Sequence, residues 1–153
     1  MATTDTRATA LNPERLTLMI GIGAAILGYV MPAVVFKGSG NAVHDLSMIE
    51  KLPVLSALAL AALMAAIATR FMPQWQRWAE KATVLAIVVI IASAVWGFVA
   101  SISVFSSLRP MIVEIAGTRN VRIDPGAGHI PILIGAALMA FSLRMRGKAA
   151  AKV

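Results

Sequence analysis

The sequence predicts an all-α integral membrane protein, four transmembrane helices in an antiparallel bundle with both termini in the cytoplasm. The first observation behind this is a set of four apolar runs, Leu16 to Phe36, Leu52 to Thr69, Ala82 to Leu108 and Pro125 to Leu143, none of which contains Asp, Glu, Lys or Arg. A hydrocarbon core of about 30 Å takes roughly 20 helical residues, and an ionised side chain at its centre costs about 2.5–3.5 kcal/mol. The second is the distribution of cations. Arg7, Arg15, Arg70, Arg77, Lys81, Arg144, Arg146, Lys148 and Lys152 fall on one side of the four spans, and Lys37, Lys51, Arg109, Arg119 and Arg122 on the other. Cytoplasmic connections carry the excess of Lys and Arg, which puts the nine inside. The third is economy: four such helices in 153 residues leave too little polar chain to coat a soluble core.

Residues 1–15 form a polar tail, too long and too polar before the first run for a cleaved signal peptide. The first span occupies 16–36. The outer loop 37–51 opens with Gly38, Ser39, Gly40 and Asn41, then carries Ser47 and Glu50 at capping-box spacing, so a short amphipathic turn is expected there. The second span, 52–69, has Pro53 near its start. Residues 70–81 form a cytoplasmic loop in which Pro73 suits the first turn of a helix. Trp75 and Trp78, one turn apart, then sit at headgroup depth as membrane-interface anchors. The third span, 82–108, would reach about 40 Å at 1.5 Å per residue, so it must tilt or project into water.

Arg109 followed by Pro110 reads as a helix stop. Beyond it, Met111 to Ile115 and Val121 to Asp124 are rich in β-formers and flank a stretch containing Gly117 and Asn120, the pattern of a small hairpin in the outer flap 109–126. The fourth span, 127–143, ends in a basic cytoplasmic tail, 144–153, where Arg144 and Arg146 are expected among anionic lipid headgroups. The net charge of +7 follows from this topology rather than from nucleic-acid binding.

Inside the membrane the informative residues are small. Gly21, Ala25 and Gly28 in the first span, Ser93, Gly97 and Ser101 in the third, and Gly135 in the fourth allow close backbone approach, which packs helices where lipid supplies no hydrophobic drive. They are read as a helix-packing or partner interface. Trp96 falls near mid-membrane and is expected to be a buried packing residue, its indole N–H held by Ser93, Thr69 or a carbonyl; a lipid or quinone headgroup site is the alternative.

Cysteine is absent, which removes disulfides, thiol catalysis and sulfur-ligated clusters. No intramembrane acid or base and no nucleophile beside a histidine is present, so no catalytic residues are assigned. His44, His129 and Asp124 are the residues a zinc or iron site would use, but they lack ligand spacing such as HxxxH. No metal or cofactor is expected, and His129 is read as an interfacial cap or a hydrogen-bond partner of Asp124.

The layout resembles that of small four-helix proteins of the bacterial inner membrane, including ones with a short outer flap before the last span. These features predict a non-catalytic accessory or scaffold subunit whose partners are membrane lipids and other membrane-protein subunits or a second copy of itself. A homo-oligomeric transporter or pore is the alternative, weakened by the missing intramembrane carboxylate. A membrane enzyme, or a metal- or quinone-binding protein using outer-face residues, comes third.

Overall fold

A computed structural model describes residues 12–38, 41–116 and 121–150. Four of its helices are long and apolar enough to cross a membrane. In chain order the elements are α1 (Pro13–Val30), β1 (Pro32–Gly38), β2 (Asn41–Ser47), α2 (Met48–Lys51), α3 (Pro53–Phe71), a 3-10 turn (Pro73–Trp78), α4 (Ala79–Ala116), β3 (Val121–Pro125) and α5 (His129–Ala150). Both prolines expected near helix starts do sit there. Pro53 opens α3, and Pro73 opens the 3-10 turn that runs into α4.

The bundle is ordered α1, α5, α4, α3, with only slight contact between α1 and α3. Glycine makes the α1–α5 pair possible. A Cβ built on Gly135 would lie 2.5 Å from the Gly21 carbonyl oxygen and 2.8 Å from the Ala25 nitrogen, and one on Gly28 would lie 2.6 Å from the Gly128 carbonyl oxygen. The two backbones therefore touch along two turns, the close approach that small residues permit in lipid. Leu18, Ile22, Ala25 and Tyr29 of α1, Leu63 of α3, Ile90 of α4 and Ile132 and Met139 of α5 fill the core between the helices.

The first apolar run divides. The helix ends at Val30, and Pro32 to Phe36 are strand, because proline has no amide to continue the helix and Ala33-Val34-Val35-Phe36 suits a pleated, half-buried surface. β1 is the centre of an antiparallel sheet ordered β2-β1-β3. It pairs with β2 from Pro32↔Ser47 to Gly38↔Asn41 and with β3 from Val34↔Pro125 to Gly38↔Val121.

The hairpin read between 111–115 and 121–124 does not form. Residues 111–115 continue α4, which carries Pro110 inside it and extends to Ala116. Proline removes one backbone hydrogen bond and strains one turn, whereas an isolated hairpin is marginal and extending an established helix needs no new nucleus. The other half of the motif is a strand, since β1 offers it a ready edge. The turn after β3 is tied to the same strand, with Gly126 donating to the Ala33 carbonyl and Gly128 to that of Pro32, both at 2.9 Å. Before α2, Ser47 and Glu50 complete the capping box: the Ser47 amide donates to Glu50 Oε2 at 2.9 Å and the Glu50 amide to Ser47 Oγ at 3.3 Å.

Candidate functional site

The sheet and the short α2 lie at the end of the bundle where α1, α3 and α5 begin or end in Met31, Leu52 and His129. Here the described polar side chains converge on α4. Its Ser93, Gly97 and Ser101 share one face. The Tyr29 hydroxyl, buried on α1, shares a short hydrogen bond with Ser93 Oγ, which also donates to the Ile90 carbonyl. Lys51 donates to the Gly97 carbonyl at 2.6 Å and to Ser101 Oγ, which itself donates to the Gly97 carbonyl at 2.7 Å. Gly97 faces Met48: a Cβ there would lie 2.7 Å from the methionine methyl. Met48 also accepts the Ser56 hydroxyl at its carbonyl, 2.9 Å away, which ties α2 to α3. Burial pushes the Lys51 ammonium below its ordinary value of 10.5, because desolvation disfavours the charged form.

Beside this cluster lies a cavity of about 230 Å3 lined by Ala33 and Val34 of β1, Phe98, Ser101 and Ile102 of α4, Pro125 and His129. The imidazole of His129 lies beside Ala33 at the cavity wall, and its Nε2 is buried without a hydrogen-bond partner among the described residues. The Phe98 ring stands edge-on to it, centroids 6.3 Å apart and planes at 84°. Asp124 is not its partner. That carboxylate pairs with Lys37 across the β1–β3 ladder at 2.7 Å, both side chains being half-exposed.

At the opposite end Arg70, only 5% exposed, is paired with Glu14. Nε and Nη2 of Arg70 are buried with no partner among the described residues. Trp75 and Trp78 are exposed beside the entry to α4, and the Trp78 ring has Lys81 5.0 Å and Arg77 5.6 Å from its centroid. Arg146 reaches Glu80 at 3.4 Å, tying α5 to the start of α4, while Arg144 is exposed.

Trp96 is 60% exposed, in a stripe with Val95, Val99 and Ile102 that faces away from the other helices. The expectation that it is buried fails because Ser93 and Gly97 occupy the inward face, and Trp96 lies a full 100° per residue away from Gly97. His44 lies in β2 opposite Phe36 in the backbone ladder; its side chain falls outside the described residues. Among the described residues no three His, Asp or Glu side chains gather closely enough to hold a metal ion.

Tyr29 and Lys51 are the participants that sequence reading missed. Tyr29 is the only tyrosine in the chain, and its position seven residues after Ile22 on the Gly21–Gly28 face was a usable signal. Lys51 reads as a loop cation, and only the α2 turn reveals that it folds back on α4. No protein-family model, curated protein or solved structure matches the chain.

Proposed function

We propose that the protein is a non-catalytic accessory or scaffold subunit of a bacterial inner membrane, with both termini cytoplasmic and the three-stranded sheet on the outer side. The observation that carries this reading is the use made of buried polar groups. Tyr29 with Ser93, Lys51 with Gly97 and Ser101, and Glu14 with Arg70 each fasten one helix to another. Such ties stiffen a bundle, and they spend the hydrogen bonds of Tyr29, Lys51, Ser93 and Ser101 on holding elements together. The surfaces left for other molecules are the lipid-facing stripes and the outer edges of β2 and β3, where a strand of a partner subunit could add by backbone hydrogen bonding.

The orientation is tested with reporters. One fused after Val153 is expected to behave as cytoplasmic and one inserted at Gly40 as extracytoplasmic; the reverse at either site overturns the charge-based topology. The partner reading is tested with a photo-crosslinking residue in place of Arg122, which is exposed on β3. A single defined adduct to another membrane protein in intact cells is expected. Adducts only between copies of this chain, together with a homo-oligomer in mild detergent, would favour the transporter or pore.

A further inference from the structure

We propose that the cavity between β1, α4 and the start of α5 is a binding site for an apolar molecule carrying a hydroxyl group, drawn from the outer leaflet. It does not depend on the accessory role, and only the choice of leaflet rests on the proposed topology. Four observations support it.

The first is size. A cavity of about 230 Å3 is smaller than the roughly 300–1,000 Å3 of sites enclosing drug-sized ligands, and fits one ring or a short length of chain. The second is lining. Ala33, Val34, Phe98, Ile102 and Pro125 are apolar, and the polar groups are confined to Ser101 and His129. Ser101 Oγ already accepts from Lys51 and donates to Gly97, keeping one lone pair, whereas His129 has a whole ring nitrogen to spare and is the stronger group to fix the ligand's orientation.

The third is the state of that imidazole. A neutral imidazole carries its proton on one ring nitrogen and presents a lone pair at the other. With that proton on Nδ1, the buried Nε2, unpartnered among the described residues, is an acceptor lacking a donor, and an unmet buried polar atom is costly. Nearby protein donors are turned elsewhere: the Gly126 and Gly128 amides go to β1 carbonyls, and Lys51 directs two of its three N–H groups to α4. A ligand O–H supplies what the fold does not.

The fourth is access. Phe98 and Ile102 are half or more exposed on the lipid-facing stripe of α4, so the cavity borders the bilayer. Phe98 stands against the imidazole, and it is the ring that must turn aside for a hydroxyl to reach Nε2. Glycerolipid alcohols and quinols share the required chemistry, an apolar body with one O–H.

The full chain, purified in detergent, is titrated with 4-pentylphenol and with its methyl ether, which keeps the shape and loses the donor. Binding is read by equilibrium dialysis, with partition into protein-free micelles subtracted, and is repeated with Ile102→Trp, which adds bulk at a position lining the cavity. Saturable phenol binding is expected, about 10-fold tighter than the ether, the discrimination a single buried hydrogen bond supplies. Ile102→Trp should abolish saturation, and His129→Leu should reduce the phenol to the affinity of the ether. Equal affinity of phenol and ether for the wild type overturns the proposal, as does saturable binding that survives Ile102→Trp. The wild-type comparison decides even where His129→Leu fails to fold. Mass spectrometry of an organic extract of the protein, purified without probe, then separates a quinol from a glycerolipid alcohol as the natural source.

Discussion

Gly23 and Gly135 are both helical glycines within the membrane, and the space around them separates their roles. Around Gly23 a Cβ would meet nothing within 4 Å, whereas at Gly135 it would meet the Gly21 and Ala25 backbone inside 3 Å. Gly23→Ala should therefore leave thermal stability in detergent unchanged or raise it, by up to about 1 kcal/mol from helix propensity. Gly135→Ala should cost about 1–3 kcal/mol, since neither backbone can give way; equal melting curves for the two variants would remove the α1–α5 contact from the account. Gly97 lies between these cases. Its neighbour is the far end of the flexible Met48 side chain, so Gly97→Ala should be mild and Gly97→Leu severe. Lys51 supplies a pH dependence. Its folded pKa is depressed below 10.5 by burial, so below the depressed value both states hold the proton and the contribution is flat. Between that value and 10.5 the unfolded chain holds more protons, and stability rises with pH. Unfolding midpoints measured across that alkaline window should climb in the wild type and climb less in Lys51→Gln.

Among the elements, α1 and α3 touch little along their length, so the buried Glu14–Arg70 pair is their main bond at the end opposite the sheet. Arg70→Met alone should cost about 3–5 kcal/mol, because it strands Glu14 in a partly buried place, while Glu14→Leu with Arg70→Met should be near neutral. A double-mutant cycle by denaturant unfolding checks this; additive effects would mean the pair does not couple the helices. The four long apolar helices were legible in the sequence because each contains a long run free of charge, and the α2 cap because Ser47 and Glu50 carry its two hydrogen-bonding groups at the right spacing. The sheet was not. An apolar run does not distinguish membrane helix from buried strand, so Pro32 to Phe36 merged with α1, although Pro32 and the consecutive Val34 and Val35 marked the change. Val121 to Asp124 read correctly as β-forming, but its partner was assigned by proximity in sequence, whereas the available edge was β1, some 85 residues earlier. The packing face Ser93, Gly97 and Ser101 was visible from its spacing; what meets it, Tyr29, Met48 and Lys51, depends on how α1 and α2 are placed in three dimensions.

At the scale of the whole molecule the chain is two consecutive halves, α1 to α3 and then a second hairpin, α4 with α5, and the helices pair across the halves, α1 with α5 and α3 with α4, more than within them. α4, at 38 residues, measures about 57 Å at 1.5 Å per residue, nearly twice the hydrocarbon thickness of about 30 Å. Part of its length runs alongside the sheet, against β3 and β1. Because β1 is the middle strand and β3 comes from the second hairpin, the sheet has a definite order of assembly during synthesis. When the first two spans have entered the bilayer, β1 and β2 can already pair, but one side of β1 still shows its unpaired amides and carbonyls until α4 has crossed and β3 arrives. That interval is when the nascent protein is most open to wrong partners. Expressed as separate pieces, residues 1–72 and 73–153 should each insert and then recombine through β3, restoring a complex that co-purifies; deleting Val121–Pro125 from the second piece should greatly reduce recovery. The strand that closes the sheet thus acts as a completion signal, withheld until the last pair of helices is in place.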